Sequence, residues 1–270
     1  MKKILVGLVA VVFASSSGAQ EAPTDNRYDV VGKIFQPFWS VLLAGGEGRD
    51  KAASLQIVMR EVTGRLPKEF EGGTLDAAIQ FPDKVKLIAP VLGERMTVCR
   101  SGDKVWAVPG AKIEYLLKQF AGKLPPPTEK ANTPLFLPIT AQQAVFLPAL
   151  FVMEEEKIFE ELNGEQTRVL SGGLMPELAK AAKAEDFRAS VWVASGYLPR
   201  QIKVVQKDFT ATVGIENLVF APALAPSVWA PPEGETDVYW TTPDVLEQLL
   251  FVLMNSVQSK EGEEPWMKVR

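Results

Sequence analysis

The acidic runs Glu154-Glu155-Glu156 and Glu160-Glu161 are the first groups in this 270-residue chain that could do chemistry, because paired carboxylates can share general acid–base work in a hydrolysis. The same runs read more simply as a solvated strand edge or turn. Gly45-Gly46-Glu47-Gly48 has the glycine density of a phosphate cradle but lacks the Lys-Ser/Thr pair that grips phosphate. Neither G-x-S-x-G nor G-x-G-x-x-G occurs. The chain has no histidine, which excludes His-containing triads, zinc sites with His ligands and the commonest general base. Cys99 is the single cysteine, so no intrachain disulfide and no cysteine-based metal site can form. Its place in the alternating Met96-Thr97-Val98-Cys99-Arg100 predicts a buried thiol. Carboxylate-pair and Ser-Lys chemistry stay open on composition, but the expectation is a protein that is not an enzyme, with no catalytic residue, no cofactor and no metal.

Charge and the N-terminus narrow the class further. Lys2 and Lys3, the apolar stretch Ile4–Ala14 and the small residues Ser17-Gly18-Ala19 form the pattern of a secretory signal peptide over residues 1–19. The apolar core is too short to span a bilayer. Setting Lys2 and Lys3 aside takes the net charge from −4 to −6. No Lys/Arg cluster is dense enough to hold a phosphate backbone, so nucleic acid is not an expected partner.

The elements that must position any site are mostly strands. Residues 28–44 place Val30, Val31, Ile34, Phe35, Phe38, Val41 and Leu42 at helical spacing, with Pro37 inside and Gly45-Gly46 beyond. From residue 52 the period becomes two: Leu55, Ile57 and Met59 share a face, as do Leu75, Ala77, Ile79 and Phe81, and then Val85, Leu87 and Ala89. Gln56, Arg60, Asp76, Gln80, Lys84 and Lys86 occupy the other face, which predicts an antiparallel sheet greasy on one side and wet on the other. A Pro-rich connector (123–132) leads to residues 133–153, which carry no charge; Pro134, Pro138, Pro148 and Gln142-Gln143 argue against a membrane span. Two readings of that segment stand open: a core-covering loop with one short helix, or an apolar lid over a cavity. Asn163-Gly164 signals a hairpin and residues 175–186 a short helix. Strands follow that carry Phe187, Ala189, Val191 and Val193 on one face, and later Phe209, Ala211, Val213 and Ile215. Thr242-Pro243-Asp244 starts a last helix that is apolar nearly all round. Either sheet block alone would leave one greasy face uncovered, so residues 20–270 are expected to form one domain, with 260–270 a loose tail.

Three stretches of this pattern resemble the periplasmic outer-membrane lipoprotein carrier proteins, the LolA-like superfamily. They are GTLDAAIQFPDKVKL (73–87), VCRSGDKVWAVPG (98–110), and the run from VWVASGYLPRQIKVVQKD through VGIENLVF to VWAPPEG (191–234). The resemblance covers most of the chain in order. It implies a mainly β (α+β) fold: a single incomplete antiparallel β-barrel, or strongly curved sheet, whose concave apolar face is covered by helices. It also implies a cavity that holds the acyl chains of a lipoprotein or another lipid. One wall would be Leu75, Ile79, Phe81, Val85, Leu87, Met96 and Val98 and the other Phe187, Val191, Val213 and Ile215, with Phe136, Phe146, Leu147 and Phe151 as lid. Trp106, on the family's Trp-bearing strand, reads either as a wall or core aromatic or as a cargo contact. Phe81 stands before Pro82 where typical carriers place an arginine that bonds to the lid, so that role does not carry over, and a divergent relative with another lipidic cargo is implied.

The resemblance further implies a periplasmic location, transient membrane contact, a monomer, and an inner-membrane transporter and an outer-membrane acceptor as partners. Elementary physics is consistent with carriage: at roughly 0.8 kcal/mol per buried CH₂, an acyl chain of about a dozen carbons carries on the order of 10 kcal/mol before binding costs. The alternative is the same fold used as an envelope-stress sensor or scaffold acting through a protein partner. A carboxylate-based envelope hydrolase is the third reading.

Overall fold

A computed structural model describes residues 26–43, 49–64, 71–91, 93–127 and 147–256 of the chain. The proposed signal peptide, the 260–270 tail and most of the uncharged 133–153 segment lie outside these residues. In chain order the elements are α1 (Arg27–Leu42), β1 (Ala52–Gly64), β2 (Thr74–Gln80), β3 (Lys84–Val91), β4 (Glu94–Ser101), β5 (Lys104–Val108), α2 (Gly110–Phe120), β6 (Phe151–Leu162), β7 (Glu165–Leu174), α3 (Pro176–Ala182), β8 (Arg188–Val193), β9 (Pro199–Gln206), β10 (Phe209–Ala221), β11 (Tyr239–Thr241) and α4 (Leu246–Ser256).

All eleven strands belong to one sheet, in the order β11-β5-β4-β3-β2-β1-β10-β9-β8-β7-β6, and every pairing is antiparallel. Among the described residues the sheet does not close, and β11 and β6 are its two edges. β1 and β10 are far apart in sequence and join the two hairpin blocks at the centre, so neither block hides its apolar face alone. At the β6–β7 turn Asn163 and Gly164 both take positive φ, 54° and 81°, the backbone that a two-residue hairpin loop demands.

Directly paired residues share a face, so the register assigns each side chain. Ile79 lies opposite Val85, Ala77 opposite Leu87 and opposite Leu55, Ile57 opposite Leu75 and opposite Ile215, and Val213 opposite Ile202. These define the concave face. Helix α1 starts at Asn26, whose side-chain oxygen accepts from the backbone of Tyr28 (2.9 Å) and Asp29 (3.1 Å), a side-chain cap of the sort that removes two orphan N–H groups. Its apolar stripe is sealed against the sheet, with Phe38 1% exposed and set edge-on to Phe220 at 4.7 Å. The cluster beneath it draws on Ala53 and Ile79 from one side and on Met153, Leu170 and Val193 from the other. From β2 to β6 is six strand spacings, about 29 Å if flat. The sheet curls toward a helix about 24 Å long to bring both sides to it. At the other end α2 and α4 cross β3–β5, burying Ile113, Leu116, Leu249, Val252 and Leu253 with Met96 and Val98. Fold class and curvature follow the expectation: a mainly β, open, curved antiparallel sheet with helices on its concave side.

Candidate functional site

Between the patch under α1 and the patch under α2 and α4 lies a third apolar cluster of different make-up. Leu55 and Ile57 of β1, Ile202 of β9, and Val213 and Ile215 of β10 form its floor, and Met59, Leu75, Ala77, Val191, Val204 and Leu218 pack around them half-buried. Every one of these residues belongs to a strand. Among the described residues, helices pack on the clusters at either side, while this one, whose five floor residues are buried, draws on strand residues alone. Since sheet residues i, i+2 and i+4 line one face, this floor is the direct product of the period-two pattern in β1, β2, β9 and β10. It can do no bond-breaking chemistry. It can exclude water and hold hydrocarbon.

The structure brings some predicted wall residues to this floor and places others elsewhere. Leu75, Val191, Val213 and Ile215 are on it, and Ile79 stands at its border with the α1 patch. Val85 and Leu87 face the same way but pack, half-buried, toward α2 and α4. Met96 and Val98, at 0% and 1% exposure, are sealed under those helices and are core residues, not lining. Phe81 is in phase with Ile79, but β2 ends at Gln80 and Phe81 stands in the turn that follows, held by its backbone N–H to the carbonyl of Lys51 (2.9 Å). Phe187 precedes β8, which begins at Arg188, and is half-buried outside all four apolar clusters. Of the expected lid, Phe136 and Phe146 lie outside the described residues, and Leu147 opens a short 3₁₀ turn over Leu147–Leu150. Phe151 is not part of a lid: it is the first residue of β6, opposite Leu174, and packs into the α1 patch.

Trp106 is the main correction, because it points to the opposite, convex face. Val105 and Ala107 of β5 face the concave core, so Trp106 and Val108 face away from it. There they join Ala78, Cys99 and Trp229 in a second core roofed by the segment 222–238. Trp106 Nε1 donates to the Trp229 carbonyl (2.9 Å), Lys86 Nζ donates to the Val228 carbonyl (2.9 Å), and the Leu224 backbone N–H donates to Gln80 Oε1 (3.0 Å). The Lys86 ammonium also sits 5.5 Å from the centre of the Trp106 ring, within cation–π range. The thiol of Cys99 is buried as expected, and burial pushes its pKa up to about 12 against a smaller pull downward from Lys86 and Lys84. Sequence reasoning had treated this whole face as wet. The available signal was Val105-Trp106-Ala107-Val108, four apolar residues in a row, the pattern of a strand covered on both sides.

The groups considered for chemistry fall on surfaces. The acidic runs lie on β6, the outer strand of the sheet, where Glu154 and Glu161 are exposed and Glu160 accepts a hydrogen bond from Trp192 Nε1 (3.1 Å). Ser101 and Lys104, which stand at S-x-x-K spacing, end β4 and begin β5 across a hairpin turn, with Lys104 exposed. A nucleophile and its base on facing turns of a helix would need a different backbone. Among the described residues no group of three or more Cys, Asp or Glu side chains is arranged to hold a metal.

No family model matches the chain, and no curated protein matches it in sequence. Solved structures do match. Lipoprotein LppX of Mycobacterium tuberculosis is 11% identical, with a TM-score of 0.38 over 72% of this chain and 96% of that one. The MucA/MucB complex of Pseudomonas aeruginosa is 10% identical, with a TM-score of 0.41 over 76% of this chain and 60% of that one. LprF of Mycobacterium bovis is 10% identical, with a TM-score of 0.37 over 68% of this chain and 90% of that one.

Proposed function

We propose that this protein is a non-catalytic carrier of the bacterial envelope that holds the hydrocarbon part of a lipidic ligand, such as the acyl chains of a lipoprotein, against the floor of its curved sheet. In this reading the chain is exported to the periplasm and moves its cargo between membranes. One observation supports it: among the described residues the central cluster of Leu55, Ile57, Ile202, Val213 and Ile215 draws on strands alone and has half-buried apolar neighbours around it, while the patches on both sides are packed by helices. The test is native mass spectrometry of the purified protein together with titration of a fluorescent fatty acid. Co-purifying lipid and saturable probe uptake are expected. A consistently lipid-free protein that takes up no probe would remove the proposal.

The sensor or scaffold reading has its own supporting observation in β6. That edge strand is 12 residues long and leaves Val152 48% and Phe159 66% exposed. An open edge is a surface to which an extended partner segment can add. Capture of a membrane-bound regulator that persists when the sheet floor is saturated with detergent would favour this reading over carriage.

A further inference from the structure

The convex face carries a pocket that hydrocarbon storage does not use. It has a volume of about 220 Å³ and is lined by Gln56, Asp76, Ala78, Lys86, Asn217 and Val228 among others. Asp76 pairs with Ile88 and Ala78 with Lys86 across the β2–β3 ladder, so Asp76 and Lys86 are diagonal neighbours on one face. Opposite charges at such positions ordinarily reach each other. Here they do not. Asp76 is held by Gln56 Nε2 (2.7 Å) and by Arg95, while Lys86 is held by the Val228 carbonyl (2.9 Å) and the face of Trp106. A carboxylate and an ammonium therefore line one hollow without pairing with each other; Asp76 is ion-paired to Arg95, and Arg95 and Gln56 Nε2 take one acceptor position on each of its oxygens, which leaves the other lone pairs open. An ammonium has three N–H donors, and the Val228 carbonyl takes one of those on Lys86.

A second observation falls at the same place. β10 bulges opposite Leu55, because Ser54 pairs with Val219 while Gln56 pairs with Glu216. Asn217 sits in that bulge at φ 51°, a left-handed conformation that costs a non-glycine residue about 1 kcal/mol or more. Bulges of this kind re-aim a side chain, and this one puts an amide, both donor and acceptor, into the pocket lining.

We infer that this pocket binds a compact zwitterion, whose cationic nitrogen meets Asp76 and whose carboxylate or phosphate meets Lys86 and the Asn217 amide. The volume lies below the roughly 300–1,000 Å³ of drug-sized sites, so the ligand is of amino-acid size. The same chemistry occurs in free amino acids and in the phosphoethanolamine headgroup of a lipid. The inference does not rest on the carrier reading, since the pocket and the hydrocarbon floor are on opposite faces of the sheet.

Calorimetric titration of the whole secreted chain with L-serine and with O-phosphoethanolamine tests it, with ethanolamine and acetate as singly charged controls. Saturable binding of at least one zwitterion by about 10 mM is expected, with both controls about tenfold weaker or more. Asn217→Gly keeps the bulge backbone free of strain, so its thermal midpoint should match or exceed that of the parent while zwitterion affinity falls about tenfold. Lys86→Met should lose affinity as well, and the Asn217 variant keeps the test decisive if the Lys86 change loosens segment 222–238. Flotation with phosphatidylethanolamine vesicles that Asn217→Gly abolishes would support the proposal with a lipid headgroup as the source. Saturable binding of the soluble zwitterions without flotation would support it with a free small molecule. No binding in either format, equal binding of ethanolamine or acetate, or undiminished affinity in Asn217→Gly overturns it.

Discussion

Leu75 and Met96 test whether the strand-only cluster is the proposed hydrocarbon floor or an ordinary core. Both are large apolar residues on the concave face, yet Leu75 is half-buried where the strand-only cluster meets the patch under α2 and α4, packing against both, and Met96 is fully buried under α2 and α4. Leu75→Ala removes three carbons from the surface a ligand would cover. At roughly 0.8 kcal/mol per carbon that weakens binding by about 2 kcal/mol, or about thirtyfold in Kd. Met96→Ala leaves a cavity in sealed packing and should cost about 3 kcal/mol of stability, a fall of about 6–12 °C in the thermal midpoint for a domain of this size. Its probe affinity should stay within about twofold of the parent, because no ligand atom reaches it. The assay pairs a fluorescent fatty-acid titration with a thermal scan on each variant. If Leu75→Ala lowers the midpoint as Met96→Ala does while leaving affinity unchanged, Leu75 is core and the floor stores nothing.

Three further outcomes follow from the packing. Trp229 is 4% exposed and its segment is pinned to the sheet through Trp106, Lys86 and Gln80, so Trp229→Ala should destabilise by about 3–5 kcal/mol, measured by denaturant titration. Gly64 has φ +81°, and a Cβ there would lie 2.2 Å from the Asp208 carbonyl oxygen, so Gly64→Ala should cost about 2 kcal/mol or more, whereas Gly72→Ala, with the same φ and open space, should cost less. Cys99 keeps its proton in the folded state up to about pH 12, while the unfolded thiol releases it near its ordinary 9.0. The native state then binds more protons than the unfolded one across that window, so stability falls as pH rises from about 9 to about 12, and that part of the fall should vanish in Cys99→Ala. Reaction with a thiol reagent at pH 8 should be slow in the native protein and fast in denaturant.

The central architecture was legible because its signal is local. Each of β1, β2 and β3 alternates over part of its length, and alternation points to both the strand and the face. Alternation could assign Leu75 to one wall and Val213 and Ile215 to another, but that they meet in one cluster follows only from the pairing of β1 with β2 and β10. What alternation cannot supply is where a strand stops and what lies on its other side. Phe81 and Phe187 are in phase with true wall residues, but one falls just after β2 and the other just before β8, where the pleat that gives phase its meaning is absent. Phe151 was hidden by the opposite error. An uncharged stretch was read as one unit, although Phe151 and Met153 already alternate with Val152 and Glu154 as a strand does. Asn217 gave no sign at all, because a bulge is a mismatch between two strands and is written in neither.

The correction at Trp106 changes how the sheet must work, and for a physical reason. On the proposed reading the sheet has to keep its curvature when its inner face is emptied, and packing on the outer face can hold it. Segment 222–238 supplies the stiffness from outside. It sets Trp229 against Ala78, Cys99, Trp106 and Val108, residues from β2, β4 and β5, and ties to the sheet through Gln80 and Lys86 of β2 and β3. β2 is the strand that serves both sides at once, offering Leu75 and Ala77 to the floor and Ala78 and Gln80 to the clamp. Loosening the clamp should therefore flatten the sheet at β2 before anything changes at β8 or β9. Hydrogen exchange in Trp229→Ala would register this as faster exchange in β2–β5 with β8 and β9 protected as before; uniform acceleration across all the strands would mean that the convex core sets global stability and not local shape.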